Sequence, residues 1–144
     1  MVTFMGQLIE TLKRHECVKA FEYQCTADKT TIGVGRCIDE DGGIGLSDDE
    51  IEYLLLIDIE RCDEELENAY DWYRDLKKPR RDAMINLCFN LGLTRLRGFV
   101  KALEAMSREQ FDVAADEFMD SRWATQVGNR ANEITEMIRV GEYV

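Results

Sequence analysis

One proline, one histidine and no C-x-x-C pair are all this chain has of the residues that most often punctuate, ligate or staple a small protein. Its five cysteines, Cys17, Cys25, Cys37, Cys62 and Cys88, are odd in number and far apart. Structural zinc needs four ligands, usually in close pairs, so neither a metal nor another cofactor is expected. Uneven, widely spaced cysteines read as reduced packing thiols, which suits a cytosolic compartment. No run approaches the roughly 18 apolar residues of a transmembrane helix. The opening MVTFMGQLIETLKRHE lacks the continuous apolar core of a secretory signal, so none is expected. Positive charge is also scarce: 18 Lys and Arg face 29 Asp and Glu, for a net charge of −11. That balance argues against nucleic acid as the main partner, because phosphate binding rests on basic side chains. It argues equally against a polybasic membrane surface. With only Pro79 as a breaker and no Ser/Gly-rich linker or repeat, residues 1–144 read as one domain.

Hydrophobic spacing divides that domain. Phe4, Leu8 and Leu12 recur every four residues, so 4–15 reads as an amphipathic helix that Thr3 can cap. Between 20 and 45 the helical period disappears and five of the ten glycines cluster. Thr31 to Ile38 alternates branched residues against small ones and reads as a strand in a sheet of two or three strands, with Cys25 opening the sheet region. Thr26 to Lys29 and Asp39 to Gly43 supply turn chemistry at its ends. Ser47-Asp48-Asp49-Glu50 is a capping box, flanked by Leu46 and Ile51 as a staple, and opens a helix of more than 20 residues. Pro79 fits the first turn of the next helix, which buries Ala83, Met84, Leu87, Cys88 and Leu91 and ends at Gly92. A helix is expected from about Gly98 to Met106. Ser107 to Gln110 reads as a second capping box, before a helix with Phe111, Ala114, Ala115 and Phe118 inward. Asn129 is expected to cap the last helix and Gly141 to close it. The fold class is α+β: a small N-terminal lobe with a short antiparallel sheet (about 16–48), a long connecting helix (about 48–72), and a larger helical lobe (about 73–144, plus helix 1).

Polar residues at the junction of the first helix and the sheet are the candidates for chemistry. Glu16, Cys25 and Thr31 are separated by eight and five residues, and Thr31 leads into Ile32-Gly33-Val34-Gly35. This spacing resembles the Glu-x8-Asp/Cys-x5-Thr signature of T-even-phage-type lysozymes, glycoside hydrolase family 24. Arg80 to Asn86, Phe89-Asn90-Leu91-Gly92, Gly98-Phe99, Ser121-Arg122-Trp123 and Asn129-Arg130-Ala131 follow in family order, so the resemblance covers nearly the whole chain. It implies a lysozyme-like fold and hydrolysis of the β-1,4 bond between N-acetylmuramic acid and N-acetylglucosamine in peptidoglycan. It also implies a monomer that lyses a bacterial host from its cytoplasm, reaching the wall through a separate membrane lesion.

The residue types suit that chemistry. Glycoside cleavage needs an acid for the leaving oxygen and a group on the other face of the sugar to direct water or attack carbon. Glu16 suits the acid if a partly dry cleft raises its pKa. The resemblance implies that Arg130 holds Glu16, that Gly35, Phe89 and Asn90 contact sugar, and that Thr31 positions a water. Cys25 stands where Asp is common. Two roles are open to it: thiolate nucleophile, or base that helps orient water. A buried small hydrophobe is its bland alternative, an exposed helix-end carboxylate is that of Glu16, and β-propensity that of Thr31. Trp72 and Trp123 read as core, Arg80 and Arg81 as solvated charges or salt bridges, and Asp28 as a solvated turn residue. Many relatives carry His after Gly-x-Gly; here Arg36 follows, so an ion pair from that position is expected to differ. The acidic chain gains no long-range steering to an anionic wall. A chitin-type glycosidase and an inactive glycan- or protein-binding module are the competing readings.

Overall fold

The computed structural model describes residues 2–144, with side chains from Met5 onward. The chain forms two compact units, one ending at Tyr53 and one running from Leu54 to Val144.

The first unit holds α1 (Val2–Glu16) and the strands β1 (Lys19–Gln24), β2 (Thr30–Gly33) and β3 (Arg36–Cys37). The helix starts at Val2, so Thr3 lies inside it rather than at its cap; the side chains of Thr3 and Phe4 lie outside the described residues. Leu8 and Leu12 are exposed. Cys17 ends α1 by adopting φ 65°, the left-handed region.

The strands form one antiparallel sheet in the order β1-β2-β3. The stretch expected as a single strand from Thr31 to Ile38 is therefore a hairpin. Gly33 (φ 68°) and Gly35 (φ 67°) turn the chain back, and Ile32 pairs with Arg36. Period-two alternation does not reveal this, because the turn glycines also fit an alternating pattern. The sheet begins at Lys19, so Cys25 follows the first strand instead of opening the sheet. The β1–β2 loop ends in Asp28 at φ 64°, a left-handed residue closing a three-residue hairpin loop.

The helix α2 (Asp48–Ala69) has 22 residues, a length of about 33 Å at the usual rise. Its capping box is present: Glu50 N–H donates to Ser47 Oγ at 3.2 Å, and Ser47 N–H donates to Glu50 Oε1 at 2.9 Å. Leu46 and Ile51, the expected staple, are both exposed.

The second unit carries the hydrophobic core. It contains α3 (Lys78–Leu91), α4 (Leu93–Leu96), α5 (Val100–Ser107), α6 (Phe111–Met119), α7 (Arg122–Val127) and α8 (Asn129–Val140). Pro79 lies in the first turn of α3, and Ala83, Met84, Leu87, Cys88 and Leu91 are all buried along it. Gly92 (φ 78°) and Gly141 (φ 72°) end α3 and α8. Fully buried Tyr73, Phe118, Leu66, Leu96 and Ile138 join these residues, each burial stabilising by about 1.5–3 kcal/mol relative to exposure.

Two expected caps are absent. Ser107 is the last residue of α5, and its hydroxyl donates to Glu104 O at 2.6 Å; α6 starts after Gln110, beyond a left-handed Glu109. Asn129 lies in the first turn of α8, and its amide donates to Glu133 Oε1 at 3.0 Å instead of capping. The short helices α4 and α7 are additional to the elements expected from the sequence. Ser121 caps α7 by accepting from Ala124 N–H at 3.2 Å.

Candidate active site

In the first unit, the three residues of the spaced triad fall on the end of α1, the start of the β1–β2 loop and β2. Glu16 is the last residue of α1. Its carboxylate lies against Gly35: a Cβ at Gly35 would sit 2.6 Å from Glu16 Oε2 and 2.9 Å from Cδ. The positive φ favours glycine there, and a Cβ would displace the Glu16 carboxylate.

Cys25 and Thr31 lie beside each other on one face. Thr31 pairs with Tyr23 across the ladder and Thr30 with Gln24, while Cys25 N–H donates to Lys29 O at 2.9 Å. Alternate residues share a face, so Tyr23, Cys25 and Thr31 point the same way. Thr31 is 3% exposed and is the one buried residue among those described in the first unit, although it is polar. Its hydroxyl donates to Lys29 O at 2.9 Å. The lone pairs of Oγ1 stay available as acceptors.

The backbone amide of Lys29, followed by that of Ala27, holds the Cys25 thiol below its ordinary range, against a smaller upward push from burial. The Thr31 hydroxyl acts in the same direction. Cys25 is only partly buried, and hydrogen bonding to a charged form favours that form, here the thiolate. From Thr31 to the turn at Gly33 is two strand positions, about 7 Å.

Arg36, the residue after the Gly-x-Gly turn, makes an ion pair within the first unit. Its Nη1 lies 2.8 Å from the Glu50 carboxylate and donates to Gly45 O at 3.1 Å. Glu50 is held down to about 2, chiefly by Arg36 and then by the Ser47 amide and hydroxyl. One carboxylate thus closes the capping box of α2 and anchors the first residue of β3.

In the second unit, Phe89, Asn86, Ile85, Leu55 and Ile59 line a groove of about 430 Å³, bordered by Lys78 and Asp82. Phe89 is exposed, and the groove wall is predominantly apolar with an amide at hand. Asn90 Oδ1 accepts from the indole N–H of buried Trp123 at 2.7 Å, leaving its amide nitrogen as the free end. Arg130 donates from Nε (3.0 Å) and Nη2 (2.6 Å) to Asn86 Oδ1. Asn86 thus orients the guanidinium, a role the sequence did not indicate. Arg80 and Arg81 contact backbone carbonyls: Arg80 donates to Ile138 O and Arg139 O over the Phe111 ring, and Arg81 to Leu76 O.

Known proteins place these residues in context. The family model described as phage lysozyme matches residues 13–137, a span that includes Glu16, Cys25, Thr31 and Arg130. The chain is similar to probable T4-type lysozyme 2 of Dictyostelium discoideum, with 26% identity over 163 aligned positions covering 95% of this chain and 96% of the relative. It also resembles probable T4-type lysozyme 1 of the same organism, with 30% identity over 69 positions, 48% of this chain and 41% of the relative. From Glu16 at the helix end to Arg130 on α8, the candidate residues fall within one family match, and the chain belongs to the phage lysozyme family.

Proposed function

We propose that this protein is a muramidase that hydrolyses the β-1,4 bond between N-acetylmuramic acid and N-acetylglucosamine in bacterial peptidoglycan, and that it serves as an endolysin released to the wall through a separate membrane lesion. The observation that carries the reading is the shared face of Cys25 and Thr31, on the hairpin whose far turn holds Gly35 against Glu16. Glu16, protonated, gives its proton to the glycosidic oxygen as the bond to the anomeric carbon breaks. A water bridges the pair, one hydrogen toward Thr31 Oγ1 and the other toward Cys25 Sγ, which leaves a lone pair to attack the anomeric carbon. Cys25 thiolate takes the water proton, and exchange with solvent resets both groups. Phe89 and the free amide of Asn90 contact sugar.

Purified peptidoglycan compared with chitin, with product anomers followed by NMR, tests this reading. Cleavage of peptidoglycan with inversion is expected. Preferential cleavage of chitin would replace the substrate, and retention would make Cys25 the nucleophile.

A further inference from the structure

Asp39 lies in the loop after β3, in a stretch whose sequence indicates only a turn. Its Oδ2 accepts from Thr30 N–H at 2.9 Å, and its Oδ1 from Asp41 N–H at 2.9 Å. Asp41 in turn pairs with Lys29 Nζ at 3.0 Å. Lys29 is the residue on which the proposed water site converges. Its carbonyl accepts from Cys25 N–H and from the Thr31 hydroxyl, and its backbone is the main influence that lowers the Cys25 thiol.

We propose that Asp39 is the positioning residue of the Cys25–Thr31 pair, fixing through the Thr30 N–H the peptide unit whose carbonyl is that of Lys29. This inference rests on the reaction proposed above. A second observation supports it independently. Gly43 folds back over Asp39, donating its N–H to Asp39 O at 2.8 Å, and Ile44 N–H closes the loop onto Cys37 O at 3.0 Å. A Cβ at Gly43 would collide with the Asp39 carbonyl oxygen and lie 2.7 Å from Asp39 N and 2.8 Å from Cys37 O. The loop has room only for glycine there, so the Asp39 backbone is gripped on one side while its carboxylate grips β2 on the other. The groups around Asp39 agree with this arrangement. The Thr30 amide, then the Asp41 amide, the Thr30 hydroxyl and the Lys29 charge hold its carboxyl below the usual range. An ionised acceptor makes the stronger tether.

The test reads the hairpin without substrate and then with it. Site-specific alkylation of Cys25 by iodoacetamide, followed by peptide mass spectrometry across pH, reports how closely the Lys29 and Ala27 amides face the sulfur. In Asp39→Ala and Gly43→Ala the alkylation midpoint moves up toward the ordinary thiol value of about 8.5. With peptidoglycan, kcat falls about 10- to 100-fold, the scale of a misplacement near 1 Å, while KM is unchanged. Asp39→Asn keeps one carbonyl acceptor and falls between wild type and Asp39→Ala. If Asp39→Ala does not fold by circular dichroism, Asp39→Asn and Gly43→Ala carry the comparison. Folded variants with the wild-type Cys25 alkylation profile would overturn the positioning role. An inactive wild type whose thiol still shifts in the variants would refute the proposed reaction and support the Asp39 tether.

Discussion

The carboxylate of Glu16 rests on the bare Cα of Gly35, where a methyl group would sit 2.6 Å from Oε2. Gly33 provides an internal control: it has the same positive φ, but nothing lies within 4 Å of a Cβ placed there. Alanine at either position carries backbone strain of roughly 1–2 kcal/mol. Only Gly35→Ala also displaces the acid. Thermal melts of the two variants should shift alike. Activity should fall about 10- to 100-fold further in Gly35→Ala than in Gly33→Ala, as expected for a misplaced reacting group. Equal activity in the two would mean that Glu16 does not depend on this contact.

The Arg36–Glu50 pair makes stability depend on pH in a defined window. Glu50 in the folded chain is held down to about 2 by Arg36 and the Ser47 donors, and it returns to about 4.3 when unfolded. Its contribution is therefore complete above the unfolded value and is lost as pH falls toward 2. Thermal melts between pH 5 and about 2 should show a drop that Glu50→Gln flattens. An identical pH dependence in the variant would remove Glu50 from the account.

The cysteines should differ in reactivity although all five are free thiols. Cys88 is buried beside Cys62 and donates to Glu65 Oε2 at 3.6 Å; burial first, and its acidic neighbour later, push its thiol up to about 12. Timed alkylation at pH 8 should label Cys25 while Cys62 and Cys88 stay unmodified in the folded protein. Labelling of Cys88 as fast as Cys25 would contradict this assignment.

Asn90 has two ends with separable tasks. Asn90→Ala leaves the buried Trp123 indole without its acceptor, a loss of about 1–3 kcal/mol measurable by urea unfolding. Asn90→Asp keeps that acceptor and removes the free amide donor. It should retain stability and raise KM on peptidoglycan. An unchanged KM would confine Asn90 to supporting Trp123.

Much of the fold was legible where its determinants are local. The Ser47–Glu50 box and the buried stripe from Ala83 to Leu91 follow from neighbouring residues, and both appear as expected. The same local reasoning misread Ser107, whose pattern fits a box while its hydroxyl turns back to Glu104 O. It also merged β2 and β3, because backbone conformation at Gly33 and Gly35 is invisible to hydrophobic alternation. The spacing of Glu16, Cys25 and Thr31 marked the candidate site. What it could not supply were contacts between residues distant in sequence: Glu16 on Gly35, Asn86 on Arg130, and Asp39 on Thr30. The identity of Cys25 was legible, but the amides that draw it toward thiolate depend on the turn through Asp28.

The central claim is that Glu16 is the proton donor for glycosidic cleavage. Reducing ends released from purified peptidoglycan by wild type, Glu16→Gln and Cys25→Asp measure it most directly. The account predicts release by wild type and by Cys25→Asp, and none above background by Glu16→Gln of equal thermal stability. Equal release by wild type and Glu16→Gln would contradict it.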